Sequence, residues 1–121
     1  MIDTLLVALG GALGASSRYL LSLSMKSIMI LSMPMATLCI NFIGCFCIGV
    51  IMAQYSDFKA GSLLFVVIGF LGSFTTMSAF SQQTIELLYN GREYTALIYI
   101  ILSIGSCLVG TMLAYSIFKT S

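Results

Sequence analysis

Four long apolar segments, separated by short polar links, dominate the pattern along this chain of 121 residues. They cover residues 5–25, 35–53, 61–89 and 94–118. About 20 apolar residues are needed to cross a hydrocarbon core of ~30 Å, so each segment is long enough to span a bilayer as a helix. The three links are short, which favours consecutive helices that lie side by side and antiparallel. The pattern predicts a single all-α membrane domain over residues 1–121, with four transmembrane helices.

The third segment is too long to be one straight helix across the membrane. Residues 61–89 would extend ~44 Å at ~1.5 Å per residue, against a core of ~30 Å. The middle of the segment, residues 69–81, holds glycines, hydroxyl side chains and phenylalanines. We predict a helix break near Gly72 to Thr76, where an opened turn leaves carbonyl oxygens to be satisfied by protein, water or a cation. The alternative is a continuous helix whose small residues pack closely against a neighbour.

The composition also indicates an integral membrane protein. Apolar residues make up 60% of the chain and charged residues only 7%, whereas a soluble domain carries about 25% charged residues. The net charge of +1 gives no indication of a nucleic-acid partner. The chain has no His, and its four cysteines include no Cys-x-x-Cys pair. We therefore expect the thiols to behave as small apolar groups and not as metal ligands.

The basic residues are divided almost evenly between the two membrane faces. With four spans, Lys59 and Lys119 lie on one face and Lys26 and Arg92 on the other, together with Arg18 if it is counted beside Lys26. The positive-inside rule needs an excess on one side to fix the orientation of a chain. We therefore expect insertion in both orientations and an antiparallel homodimer whose two-fold axis lies in the membrane plane. Four helices without a companion do not easily enclose a polar pathway, which also favours a dimer.

Three polar side chains in the first two spans are candidates for a functional site. Thr37 and Asn41 are four residues apart, so they share one helix face. The Asn41 amide offers two N–H donors to an anion, or a hydrogen bond to a neighbouring helix. Arg18 lies in the later half of the first span. It either extends to the interface or lines a water-filled vestibule that concentrates anions.

The later part of the third span carries a second set of candidates. Met77, Phe80 and Ser81 recur at helical spacing, as do Thr76 and Phe80. The ring of Phe80 has an electropositive edge that suits a small anion, although most buried phenylalanines simply fill space. Glu86 lies toward a membrane face, either as a solvated end residue or at a pore mouth.

The polar groups within the spans are mainly hydrogen-bond donors. The carboxylates Asp3, Asp57, Glu86 and Glu93 all lie at or near the ends of spans, so no carboxylate is expected at mid-membrane. Proton-coupled and cation-binding transporters usually need such a carboxylate. The balance favours the passage of an anion, and no residue pattern indicates an enzyme.

Three motifs resemble the signatures of a known family. Residues 10–19 (GGALGASSRY), 37–44 (TLCINFIG) and 69–81 (GFLGSFTTMSAFS) are similar, in this order, to those of the CrcB/Fluc fluoride channels. The resemblance implies a passive channel that exports fluoride across the inner (plasma) membrane and relieves fluoride toxicity. It also implies a dual-topology homodimer with two fluoride pores and a structural Na⁺ ion on the dimer axis.

The resemblance assigns roles to residues at the break in the third span. The backbone carbonyls of Gly72 and Thr75 would hold the sodium ion, with Ser73 in place of the family's usual second glycine. Phe80 would be the second member of a pair of phenylalanines beside the pore. Met77 stands where the family has the first, and its polarizable thioether is able to occupy a similar volume.

The resemblance also assigns the lining of the pore. Asn41 would be the pore amide, and Arg18 would lie in the vestibule. Thr37, Ser81 and Glu86 would form a polar track that leads from the pore. The residues implied in this lining, besides Met77 and Phe80, are Arg18, Thr37, Asn41, Thr76, Ser81, Glu86 and, from the fourth span, Ser106 or alternatively Ser103.

Two other classes of function, a small exporter and an assembly subunit, are alternatives to the channel. A small dual-topology exporter of the multidrug-resistance type would share the length and the charge pattern. It would need a membrane-embedded Glu in the first span and usually a Trp, and the sequence has neither. A non-transporting assembly subunit would have no need of Asn41 or Phe80.

Overall fold

Five helices form the four spans in the computed structural model, which describes residues 1–30 and 33–119. They are α1 (Ile2–Met25), α2 (Met35–Ala53), α3 (residues 60–74), α4 (Met77–Tyr89) and α5 (Glu93–Phe118). Together α3 and α4 make up the third span. All four spans are long and apolar enough to cross a membrane. This confirms the predicted all-α, multi-pass membrane protein.

The predicted bounds of the spans are close to the observed ones. The second span has the same ends as predicted, because Pro34 precedes it with a φ of −74° that suits a helix start. The other three spans begin slightly earlier, at Ile2, Ala60 and Glu93. Helix ends fray, so differences of this size are ordinary.

Short connections join the helices. Between α1 and α2, the strands β1 (Met29–Ile30) and β2 (Met33–Pro34) pair antiparallel, with Met29 opposite Pro34. This strand pair is called the hairpin. A 3-10 turn at Tyr55–Asp57 lies between α2 and α3. The turn between α4 and α5 contains Gly91 at a φ of +76°, a left-handed conformation that favours glycine.

Much of α3 is wound more widely than an α-helix. It begins with the α-helical turn Ala60–Leu63, continues as a π-helix over Leu64–Leu71 and ends with the turn Gly72–Phe74. π-helical turns are rare and are found most often at functional sites. Here the wide turns lead directly into the break of the third span.

The helices pack in a different order from the one that the short links predict. The most extensive contacts join α1 to α3 and α2 to α5, whereas consecutive spans touch less. Small residues explain the difference, because they let two backbones approach closely. A Cβ added at Gly10 would collide with the carbonyl oxygen of Phe65, and one added at Gly49 would collide with that of Thr111. The prediction that consecutive helices are the main neighbours was therefore wrong.

The buried part of the protein is small. One cluster joins Met33, Leu87, Ala96 and Tyr99, where the hairpin meets α4 and α5. Most large apolar side chains along the spans are exposed, as expected for helices that face lipid or another subunit. The buried cluster lies beside the second half of the third span, and it supports one wall of the candidate site.

Candidate functional site

The third span breaks at two residues. Thr75 (φ −77°, ψ 154°) and Thr76 (φ −144°, ψ 115°) are extended, while Gly72 before them remains helical. The predicted break near Gly72 to Thr76 is confirmed, and its extended residues are Thr75 and Thr76. A Cβ at Gly44 of α2 would meet the Cγ2 methyl group of Thr75, so the glycine lets the break lie directly against α2.

The amide of Asn41 holds the break through two hydrogen bonds. Its Nδ2 donates to the carbonyl oxygen of Thr76 at 3.1 Å, and the backbone N–H of Thr76 donates to its Oδ1 at 2.8 Å. The predicted hydrogen bond from Asn41 to a neighbouring helix is therefore present, and it is made to the break of the third span. A primary amide carries two N–H groups, so Nδ2 keeps a second donor besides the one it gives to Thr76, and Asn41 also lines a cavity.

The break redirects the N–H groups that a continuous helix would use. The amide four residues after Gly72 belongs to Thr76, and it donates to Asn41. The amide four residues after Thr75 belongs to Ala79, and it donates to the Thr76 side-chain oxygen at 3.2 Å. The carbonyls of Gly72 and Thr75 thus lose their ordinary helical donors, which matches the chemistry of a backbone cation site.

Arg18 lies against the break from α1. Its Nε donates to the carbonyl oxygen of Ser73 at 3.1 Å, so the guanidinium is partly buried and does not extend freely to the interface. Arg18 also lines a side cavity of about 240 Å³ together with Thr37, Thr76 and Gln83. Thr37 is buried there. The predicted residues Arg18 and Thr37 therefore both lie beside the break, on the side toward the hairpin.

The main candidate site is a cavity of about 300 Å³ beside the break, at the middle of the spans. It brings together residues from the break, α2, α4 and α5. Its lining consists of Asn41, Cys45, Thr75, Thr76, Met77, Phe80, Ser103, Ile104, Cys107 and Leu108. Met77 is 73% exposed, so its thioether lies at the open edge of the cavity.

Ser103 is the fourth-span serine that reaches this cavity. It is 6% exposed, and its hydroxyl has no hydrogen-bond partner among the described residues. Ser106 lies outside the cavity lining and donates to the Ser103 carbonyl oxygen at 3.4 Å. A buried hydroxyl without a partner costs about 1–3 kcal/mol, so Ser103 is a candidate hydrogen-bond donor in this cavity. The structure thus places Ser103, and not Ser106, at the candidate site.

A route of side-chain contacts leads from Phe80 toward the hairpin side. The Phe80 ring lies 5.4 Å from the ring of Tyr99, measured between centroids. Tyr99 is fully buried, and its hydroxyl donates to Oε1 of Gln83 at 2.7 Å. Sequence reasoning missed both Tyr99 and Gln83. A tyrosine near the end of a span normally indicates an interfacial anchor, and only the fold shows that this one turns inward.

The route ends at a wider cavity on the hairpin side. This cavity of about 640 Å³ is lined by Gln83, Glu86, Asn90 and Arg92, among others. Glu86 is exposed, and its Oε1 accepts a hydrogen bond from Nε2 of Gln82 at 3.1 Å. It lies near the C-terminal end of α4, which ends at Tyr89. Ser81 is exposed on α4, and the three cavities of this region are lined without it.

The electrostatics of the central cavity suit an anion. The Asn41 amide, the Ser103 hydroxyl and the edge of Phe80 are donors or electropositive groups, and no carboxylate is in the lining. The N-terminus of α4 also begins at this level with Met77. A helix N-terminus carries a partial positive charge, so the end of α4 adds to the same field.

The fold and the cavity define a multi-pass helical membrane protein with a largely apolar cavity at a helix break, into which a few hydrogen-bonding side chains are gathered. The chain belongs to the CrcB family: the family model described as "CrcB-like protein, Camphor Resistance (CrcB)" matches residues 5–115. It is 39% identical to a Ruminiclostridium cellulolyticum protein named fluoride-specific ion channel FluC, over 99% of this chain and 95% of that protein. A Shewanella pealeana protein of the same name is 37% identical, over 98% of this chain and 100% of that protein.

Replacing Asn41 tests whether its amide holds the break. In Asn41→Leu both hydrogen bonds to Thr76 are lost, and leaving a buried backbone group unpaired costs about 1–3 kcal/mol. We expect amide hydrogen exchange at Thr76 to rise about 5- to 150-fold. The measurement is exchange by NMR or mass spectrometry on protein in lipid nanodiscs.

The matched control is Thr111→Val, which removes the hydrogen bond from Thr111 Oγ1 to the Cys45 carbonyl oxygen at 2.8 Å. That bond also joins two helices, but it lies away from the break. Exchange at Thr76 should stay as in the unchanged protein. Equal exchange at Thr76 in all three proteins would contradict the role of Asn41.

Proposed function

We propose that this chain is a fluoride-selective passive ion channel. The observation that carries the proposal is the buried hydroxyl of Ser103, which has no hydrogen-bond partner in residues 1–30 and 33–119 and shares the central cavity with the Asn41 amide and the Phe80 ring. These are hydrogen-bond donors gathered without a carboxylate at mid-membrane. The relatives named as fluoride-specific ion channels support the same choice of ion.

Fluoride suits a site that is built from several weak donors. The ion is small and strongly hydrated, so a pore has to replace its water with closely spaced hydrogen-bond donors. A conducting site also has to release the ion again, as selectivity filters do for other ions. The N–H of Asn41, the O–H of Ser103 and the ring edge of Phe80 supply such contacts without one deep positive charge.

The proposed path runs from the central cavity to the hairpin side. Fluoride passes Phe80 and the pair formed by Tyr99 and Gln83, and leaves through the wide cavity that contains Glu86. Thr37 lies in the neighbouring side cavity with Arg18, where the guanidinium raises the local concentration of anions. Met77 forms the open edge of the path where the family has a phenylalanine.

We assign the channel to the inner (plasma) membrane, where it lets fluoride leave the cytoplasm. Undissociated HF enters a cell from an acid medium and dissociates inside, so a passive path is sufficient for export. The exporter alternative needs a carboxylate within the first span, and α1 carries its one acidic residue, Asp3, in its first turn. The arrangement of donors therefore favours the channel.

The functional unit is proposed to be an antiparallel, dual-topology homodimer. The central cavity opens sideways at Met77, and large apolar side chains along α5 are exposed. A second copy would close the cavity and cover part of this surface. The nearly even division of basic residues between the two faces supports insertion in both orientations.

A structural sodium ion is proposed at the break, held by backbone oxygens. The carbonyls of Gly72 and Thr75 fit this ion, because the amides of Thr76 and Ala79 are taken by side chains. Carbonyl oxygens are hard ligands that suit a hard cation. The ion would neutralise the carbonyl end of α3 and fix the break between two copies of the chain.

Fluoride flux from liposomes tests the proposed channel. We expect purified protein to release fluoride, measured with a fluoride electrode, and to retain chloride. Ser103→Ala should slow fluoride release at least about ten-fold, because a hydrogen bond to an ion contributes about 1.5–3 kcal/mol. Ser106→Ala is the matched control on the same helix and should conduct normally. Absence of fluoride flux from folded protein would refute the channel, and normal flux in Ser103→Ala would remove this serine from the path.

Sodium dependence tests the cation site. We expect the melting temperature of the dimer to rise with NaCl but not with KCl at equal ionic strength, because only a bound ion stabilises the folded state by mass action. Thr75→Ala removes the side-chain oxygen and keeps the carbonyl, so its sodium response should persist. Indifference to sodium would contradict the site, and loss of the response in Thr75→Ala would assign the ion to the hydroxyl instead.

Labelling of sealed vesicles tests dual topology. Ser56→Cys places a thiol in the link between α2 and α3, outside the membrane. We expect a membrane-impermeant maleimide to label about half of the molecules from outside and the rest after permeabilisation, since the charge bias is nearly zero. The unchanged chain corrects for its own four cysteines. Adding Ser62→Lys on the same face should shift the ratio strongly, and labelling from one side alone before this change would contradict dual insertion.

A further inference from the structure

Two cysteines from different helices meet at the central cavity. Cys45 of α2 and Cys107 of α5 both line it, and their side chains approach closely enough to interact with each other. The other two cysteines, Cys39 and Cys47, lie on α2 outside this lining. The sequence separates Cys45 from Cys107 by more than half of the chain, so no spacing rule reveals the pair.

The packing of α2 on α5 holds the two thiols in register. Thr111, one helical turn after Cys107, donates its hydroxyl to the carbonyl oxygen of Cys45 at 2.8 Å. Gly49, one turn after Cys45, lies against the backbone of Thr111 so closely that a Cβ would collide with it. The relative position of the thiols is therefore set by backbone contacts on the same helix faces.

A third sulfur lines the same cavity. The thioether of Met77 belongs to its open edge, where the side chain is 73% exposed. Thiols and thioethers are soft ligands that select thiophilic ions such as Cu(I). No group of three or more His, Cys, Asp or Glu side chains gathers anywhere in residues 1–30 and 33–119. The lining of the cavity holds the three sulfur side chains and no carboxylate or His, so its ligands suit a soft ion better than a hard divalent one.

The geometry points to a binding site for a thiophilic monovalent cation of the Cu(I) class, formed by Cys45, Cys107 and Met77. Binding requires a thiolate, so a thiol loses its proton to water when the ion enters. A net charge at this depth is costly, which favours one thiolate, one neutral thiol and the thioether around one monovalent ion. The complex is neutral, and one proton leaves for each ion bound.

The site has a consequence for conduction, which rests on the proposed function. Cys45 and Cys107 share the cavity with Asn41, Phe80 and Ser103. A metal ion held by the sulfurs occupies the volume that fluoride needs. Thiophilic ions that bind inside the conduction pathway therefore block it directly, without a separate regulatory domain.

Silver binding to the purified full chain tests the site without measuring flux. Ag⁺ is the probe, because it has the charge and softness of Cu(I) and needs no reductant. We expect one tightly bound Ag⁺ per chain by elemental mass spectrometry, and one proton released per ion in weakly buffered solution. Loss of even an outer-shell partner weakens metal sites about 10–100-fold, so Cys45→Ser and Cys107→Ser should each lose at least that much affinity. Met77→Leu should weaken binding less.

Cys39→Ser and Cys47→Ser are the matched controls on α2, and both should bind silver as the unchanged protein does. Cys45→Ala and Cys107→Ala repeat the test without a hydroxyl, and circular dichroism checks that each variant is helical. Equal silver binding by folded variants with and without Cys45 or Cys107 would overturn the site. Release of two protons per ion would overturn the neutral complex. Silver binding without a block of fluoride flux would contradict only the effect on conduction.

Discussion

The two hydrogen bonds between Asn41 and the backbone of Thr76 are the interaction on which the site depends. They replace the helical bond that the Thr76 amide would otherwise make, so α3 ends and α4 starts again. Because Asn41 belongs to α2, this pair of hydrogen bonds also fixes where the break lies relative to the cavity. Without it the backbone N–H and carbonyl groups of Thr76 would lose these partners, and the break would no longer be fixed against α2.

The break presents groups of opposite polarity within a few residues. The end of α3 offers carbonyl oxygens, and Arg18 already occupies one of them, that of Ser73. The start of α4 offers the positive end of a helix. Both ends lie in a low-dielectric setting where such dipoles act strongly. One opened turn therefore presents the negative ends of backbone dipoles on one side and the positive end of a helix on the other.

The spans and the break were predictable because membrane thickness constrains them. A segment too long for the bilayer has to tilt or break, and the glycine and hydroxyl residues showed where. The final position at Thr75 and Thr76, beyond the helical Gly72, depends on a bond to Asn41 that no local pattern shows. The inward turn of Tyr99 and the meeting of Cys45 with Cys107 were missed for the same reason. Helix periodicity tells which face a residue occupies, but small residues far apart in the chain decide which helix covers that face.

The hydroxyl of Ser103 lowers the stability of the fold while it serves the proposed conduction of fluoride. Its oxygen is buried and accepts no hydrogen bond from the described residues and donates none to them, so it stabilises the fold less than an apolar side chain of similar size would. Natural proteins often retain such costs where function needs them. Laboratory evolution for heat resistance alone would discard the hydroxyl, whereas selection for growth in fluoride would keep it. The identity of position 103 in an evolved population would then record which of the two pressures had been applied.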